Sequence, residues 1–226
     1  MFLGHFGLGL AAKKAAPAVS LGALFAASQF ADLLWPTLVL LGVEQVRVQP
    51  GITAVTPLDF VSYPYSHSLL MLCVWGVAFG AIYAALRRAR PGAAITIALL
   101  VVSHWVLDVV VHRPDMPITP WGAERFGLGL WNSVPGTLVA EFGLLVFGVT
   151  LYLGTPRART LAGTIGFWSL VAFLVIVYLA STFGPPPPSA AAVAWSAQAM
   201  WLLVAWGYWV DRSRRGVAEG KSRNWK

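Results

Sequence analysis

Six long apolar runs dominate the chain, separated by short joints of Gly, Pro and basic residues. They cover Ala18–Val43, Ser66–Leu86, Gly92–His112, Thr137–Gly154, Thr160–Thr182 and Ala190–Val210. At 1.5 Å of rise per residue, each is long enough to cross the hydrocarbon core of a bilayer as an α-helix. The pattern predicts an all-α polytopic membrane bundle of about six transmembrane helices, forming one integral membrane domain over residues 1–226. Pro91-Gly92, Pro135-Gly136 and Pro156 mark joints, and Pro185–Pro188 is a short polyproline II spacer. The opening Met1–Ala12 is apolar but too short to span, and its charges follow it. It lacks the order of a secretory signal and reads as an uncleaved amphipathic or re-entrant helix.

Composition agrees with this pattern. The chain is 58% hydrophobic and 11% charged, against about a quarter charged in a soluble domain. The net charge of +7 does not point to nucleic acid, because the basic residues lie in the joints between apolar runs. If the N-terminus is cytoplasmic, the inward segments hold thirteen Lys and Arg: Lys13, Lys14, Arg87, Arg88, Arg90, Arg157, Arg159, Arg212, Arg214, Arg215, Lys221, Arg223 and Lys226. The outward loops hold three: Arg47, Arg113 and Arg125. That bias predicts both termini inside. Trp206, Tyr208 and Trp209 fit an inner interfacial belt, and the eleven Trp read as interface anchors. The single cysteine, Cys73, permits no intrachain disulfide. Gly7-Leu8-Gly9 and Gly127-Leu128-Gly129 lack the strand–turn–helix setting of a phosphate loop.

The informative residues are ionisable groups inside or at the rim of the spans: Asp32, His67, His104, Asp108, His112 and Glu141. A charge at the bilayer centre costs on the order of 3 kcal/mol. From Thr160 to Val210 there is no Asp, Glu, Lys, Arg or His, so these groups are concentrated in the other spans. The predicted topology puts them in the outward half. His104, Asp108 and His112 are spaced i, i+4, i+8 and share a helix face. Imidazole nitrogen and carboxylate oxygen are both zinc ligands, and a catalytic site keeps one position open. Asp32, His67, His104 and Asp108 are therefore the candidate metal ligands. Glu141 or His112 is the candidate general base. The ion expected is divalent, zinc by ligand preference, with manganese or iron as alternatives.

The order His5 in Gly4-His5-Phe6-Gly7, then Asp32, Ser66-His67-Ser68-Leu69 and Ser103-His104-Trp105-Val106-Leu107-Asp108 resembles the bacterial inner-membrane metal-dependent hydrolases related to the LexA-regulated YdjM proteins. The resemblance covers roughly the first half of the chain. It implies a multi-pass protein of the bacterial inner membrane with a metal site made by these residues, and it adds His5 as a ligand. Asp32 stands alone where that family often has paired Asp, and Ser66 stands in place of the Thr of its Thr-His-Ser trio. Measured along straight helices, His5 lies at most ~12 Å from Lys13 and Asp32 nearly ~28 Å further along its own helix. The two meet only if the first segment re-enters the membrane or a deep water-filled cavity reaches both.

Tyr63-Pro64-Tyr65-Ser66-His67-Ser68 and His104-x-x-x-Asp108 also resemble two of the three signatures of membrane phosphatases acting on lipid phosphates. That resemblance implies a nucleophilic second His oriented by the Asp. The third signature, Lys…Arg-Pro, is absent, and an anionic transition state needs cations. The function expected is hydrolysis of a lipid-like or small amphiphilic substrate on the periplasmic side. The alternatives are a metal-ion or proton carrier or channel using the same Asp and His groups, or a membrane protein without chemistry. The outer loops Glu44–Tyr65 and Arg113–Gly136 are candidate lids.

Overall fold

The computed structural model describes residues 1–155 and 160–215. Pro156, Arg157, Arg159, Lys221, Arg223 and Lys226, used above for joints and charge counts, lie outside the described residues. The helices are α1 (Leu3–Ala15), α2 (Leu21–Ser28), α3 (Phe30–Leu40), α4 (Pro64–His67), α5 (Leu69–Arg87), α6 (Pro91–Val111), α7 (Val134–Leu153), α8 (Leu161–Phe183), α9 (Ala190–Gln198) and α10 (Met200–Arg215). The two longest loops each hold a small antiparallel pair, β1 (Gln45–Val48) with β2 (Leu58–Ser62) and β3 (Met116–Pro117) with β4 (Arg125–Phe126).

Four helices, α5 to α8, are long and apolar enough to cross a membrane, as is the α9–α10 stretch Ala190–Ser213. The bent pair α2 and α3 makes a sixth candidate. Their outer faces carry large apolar side chains. Val77, Leu86, Leu99, Val139 and Leu202 are all 63–77% exposed. So extensive an apolar surface does not suit water, but it matches a hydrocarbon solvent. The chain is an all-α, multi-pass membrane protein.

Two expectations change. The first apolar run is not one straight helix. It breaks at Gln29, whose backbone (φ −102°, ψ 11°) leaves the helical region, and α2 and α3 meet at 58°. The opening segment is not an amphipathic helix with a wet face. Leu3, His5, Phe6, Leu10 and Lys13 of α1 are all buried, so α1 lies inside the bundle, against α7, α2 and α6.

Small residues allow this. A Cβ on Gly7 would sit 2.4 Å from the Leu144 carbonyl oxygen, and one on Gly148 would sit 2.0 Å from the Gly7 carbonyl oxygen. The backbones of α1 and α7 touch, which only glycine permits at this crossing. On the other side of α1, Phe6 meets Phe25 of α2 edge-on, with ring centroids 5.0 Å apart. The turn between α1 and α2 makes them antiparallel neighbours. Leu3, Phe6, Leu10, Leu21 and Phe25 join Leu145, Leu170 and Leu203 in the main core. A second core joins α2 to α6 through Leu24, Ile97 and Val101.

Candidate metal centre

The α1–α2 hairpin resolves the distance problem posed by His5. His5 lies 13 residues before Ala18 and Asp32 lies 14 after it, so the two return to the same level. α6 brings His104 and Asp108 on one face. The short α4, begun by Pro64, ends on His67. His5, His67, His104 and Asp108 are at most 2% exposed. The Asp32 side chain is more open, at 25%.

The possible ligand atoms form two groups that share His104, Asp32–His67–His104 and His5–His104–Asp108, the atoms of each lying within 4.8 Å of one another. His67 Nε2 lies 3.4 Å from Asp32 Oδ1 and 3.9 Å from Asp108 Oδ2. His104 Nε2 lies 3.7 Å and 3.1 Å from the same two oxygens. Ligand atoms held tetrahedrally at ~2.1 Å from an ion are about 3.4 Å apart. His5 approaches the other Asp108 oxygen, Nε2 to Oδ1 at 3.0 Å. Its ring stacks on His104, with centroids 3.7 Å apart and planes 8° from parallel. The Met1 amino group also lies against Asp108.

The far side of each imidazole fixes its tautomer. His104 Nδ1 is 2.9 Å from the Ser28 carbonyl oxygen, which can only accept, so Nδ1 carries the proton. Ser28 ends α2, where carbonyls lack intrahelical partners, so the break at Gln29 provides this acceptor. His67 Nδ1 is 2.7 Å from Ser66 Oγ, whose own proton goes to Glu44 Oε2 at 2.6 Å. His67 Nδ1 therefore donates as well. In the neutral ring each Nε2 then points a lone pair at carboxylate oxygens. His104 Nε2 and His5 Nδ1 are buried with no hydrogen-bond partner. Lone pairs facing carboxylates repel unless a cation or proton stands between them. The Met1 amino group meets the Oδ1 side of Asp108, and a cation between Asp32 and the Oδ2 side of Asp108 would offset the charge that remains. The donor set and the orphaned Nε2 thus fit a resident ion.

His112, the cap that ends α6, stands one turn beyond Asp108, with Nε2 3.8 Å from Asp108 Oδ2. Its Nδ1 donates to Asp115 Oδ1 at 2.9 Å, and its ring lies against Trp131 and Phe60. Tyr63 donates to the same Asp115 oxygen at 2.8 Å, and Arg113 Nε reaches Oδ2 at 3.1 Å. Arg113 also pairs with Asp59 of β2, pinning the β1–β2 hairpin over the centre. Burial opposes ionisation of Asp115. The hydrogen bonds from His112, Tyr63 and Arg113 outweigh it and hold the carboxyl below its usual range. Burial and the Asp115 charge push the Tyr63 phenol well above its ordinary value.

Glu141 of α7 is not beside the other carboxylates by accident of packing. Its two oxygens accept the Phe2 and Gly4 amides at 2.9 and 2.7 Å. These are amides at the start of α1 that no helix turn can satisfy, so Glu141 fixes the end that bears His5.

Three partners were not legible beforehand: Glu44, the Ser28 carbonyl and Asp115. Glu44 is 1% exposed and accepts the Tyr65 and Ser66 amides besides the Ser66 hydroxyl. A cavity of about 810 Å³ opens from the centre, lined by Asp32, His67, Asp108, His112 and Glu141 at one end and by apolar side chains of α8 and α9–α10 beyond. Comparison with family models, curated proteins and solved structures finds no match for this chain.

Proposed function

We propose that this chain is a bacterial inner-membrane metal-dependent hydrolase acting on an amphiphilic, lipid-like substrate from the periplasmic side. The observation that carries the reading is the pair of Nε2 lone pairs, on His67 and His104, turned toward Asp32 and Asp108 at 3.1–3.9 Å. Asp32, His67, His104 and Asp108 would hold the ion, zinc by donor type. His5 would steady Asp108 from its second oxygen. When bound, such an ion supplies Lewis-acid polarisation of the substrate and activation of water.

The chain's own groups supply the rest. Hydrolysis adds the oxygen of water to a carbonyl carbon or phosphorus. One water proton passes to His112 Nε2, the bond to the leaving oxygen breaks, and that oxygen takes the proton back from His112. Asp115 holds His112 Nδ1–H and stabilises the imidazolium that forms, the role a triad carboxylate plays. We assign the base to His112 and the holding of α1 to Glu141, because both Glu141 oxygens are engaged by backbone amides.

A histidine nucleophile of the lipid-phosphatase kind fits less well. The His104 nitrogen left to attack is Nε2, and Asp108 sits on that side rather than behind Nδ1. Arg113, the cation nearest the centre in sequence, is engaged by Asp59 and Asp115. A path across the membrane fits less well too, since Phe6, Leu10 and Phe25 close the core beyond the centre. Elemental analysis of the purified protein tests the reading. About one divalent ion per chain is expected, and about none in His104→Ala plus Asp108→Ala. A metal-free wild type, or equal metal in both, overturns it.

A further inference from the structure

The cavity at the centre is much larger than a water-activating site needs, and its far part is built differently from its near part. α8 contributes Phe173, Val177 and Ser181, a stripe at i, i+4, i+8 that spans about 12 Å of helix. α9 and α10 face it with Ser196, Leu203 and Trp206. Both walls are membrane-crossing segments. Their margins reach the lipid-facing surface, where Phe173 is 43% and Leu202 71% exposed. The walls also carry a gradient. Hydroxyls (Ser181, Ser196) lie toward the loop end, and Phe173 and Leu203 lie toward the middle of the spans, where Trp206, expected in the inner interfacial belt, instead packs against Phe173. A lipid in the leaflet on the loop side has the same order, head outward and chain toward the midplane.

Two residues that line this cavity, Trp35 and Tyr178, each have a buried side-chain polar atom, Nε1 and Oη, without a hydrogen-bond partner. An unsatisfied buried donor costs about 1–3 kcal/mol. An indole N–H can only donate, so the missing partner of Trp35 is an acceptor oxygen.

The geometry points to one occupant: an acyl lipid of the bilayer that enters sideways between α8 and α9–α10. Its chain lies along the Phe173–Ser181 stripe, and an ester or phosphate oxygen accepts from Trp35 Nε1 and Tyr178 Oη. Its head linkage reaches the His and Asp centre. This rests on the hydrolase reading for the fate of the lipid, but not for its binding.

The test uses the whole protein in phosphatidylglycerol vesicles containing a phospholipid with a diazirine near the end of its chain. After illumination, adducts are mapped by peptide mass spectrometry. Labelling of Val177 and Leu203 at least fivefold above Leu99, a lipid-facing residue of α6, is expected. It should persist in His104→Ala plus Asp108→Ala and fall at least fivefold in Val177→Trp. Tyr178→Phe should weaken capture of the ester lipid, while a diazirine-bearing alkane probe, which has no acceptor oxygen, is captured as before. Adducts spread evenly over the lipid-facing residues overturn the inference, as does undiminished labelling of Leu203 in a folded Val177→Trp. Groove labelling in a protein that binds no metal leaves the inference standing and removes the hydrolase reading. Metal binding with even labelling does the reverse.

Discussion

α1 has a buried ionisable residue near each end, and the two ends are satisfied in different ways. At one end Lys13 donates to the Val19 carbonyl and lies 3.0 Å from an oxygen of Asp211 on α10. A positive charge meets a negative charge, and donors meet acceptors. At the other end His5 joins three further imidazoles and two carboxylates, with nitrogens turned toward oxygens and two of them lacking any hydrogen bond. A closed pair is enough to tie helices together. A set left open is what a ligand needs. His5 and Lys13 themselves are equally buried, so burial alone does not distinguish a charge that ties helices from one turned toward a ligand. The distinguishing feature is whether the local hydrogen-bond account closes.

The largest effect should come from opening this contrast at the His5 end. Asp108→Asn is expected to lower bound divalent ion by at least a hundredfold in affinity, read by metal titration. Lys13→Met with Asp211→Leu should leave it within threefold. Equal loss in both proteins would erase the distinction between the ends. Next, Lys13→Met alone removes the buried ammonium beside Asp211 and should cost about 3–5 kcal/mol in detergent unfolding, part of it regained when Asp211→Leu is added. No recovery in the double variant would mean that the pair does more than neutralise itself.

A smaller change is expected from Glu44→Gln, which weakens the grip on Ser66 and so on His67 Nδ1. Loss of such supporting partners lowers metal affinity by about 10–100-fold. A titration identical to wild type would show that Ser66 alone orients the ring. The smallest effect concerns the rim. The Asp115 carboxyl is held below its usual range, so its contribution to stability is full above the unfolded value of about 3.9 and is lost as pH falls through the lower folded value. The thermal midpoint of wild type should therefore approach that of Asp115→Asn as pH falls below about 4, with the two furthest apart near neutrality. A constant gap over that range would remove the carboxylate from the account.

The spans were readable because apolar runs of the required length have few other uses. Asp32, His67, His104 and Asp108 were readable for the complementary reason, that charge in such runs is costly. The break at Gln29 was hidden, since Ser28-Gln29-Phe30 contains neither Pro nor Gly. The place of α1 was hidden because depth counted along one straight segment ignores a hairpin, and because what admits α1 is the contact of Gly7 with Gly148, 141 residues apart. Glu44 looked like a loop acid. It stands immediately before the β1–β2 hairpin and folds back onto Ser66, a pairing that no local pattern announces. The small strand pairs were hidden as well, in loops whose length alone was informative.

The 58° bend between α2 and α3 makes the centre answerable to the thickness of its bilayer. Hydrophobic mismatch is relieved in part by tilting or kinking a span, and α2–α3 is a candidate span already bent at a joint. Longer lipid tails favour a straighter pair, and straightening draws the Ser28 carbonyl away from His104. Ion affinity measured in vesicles of increasing chain length should then decline, with Lys13 and Asp211, far from the joint, unaffected.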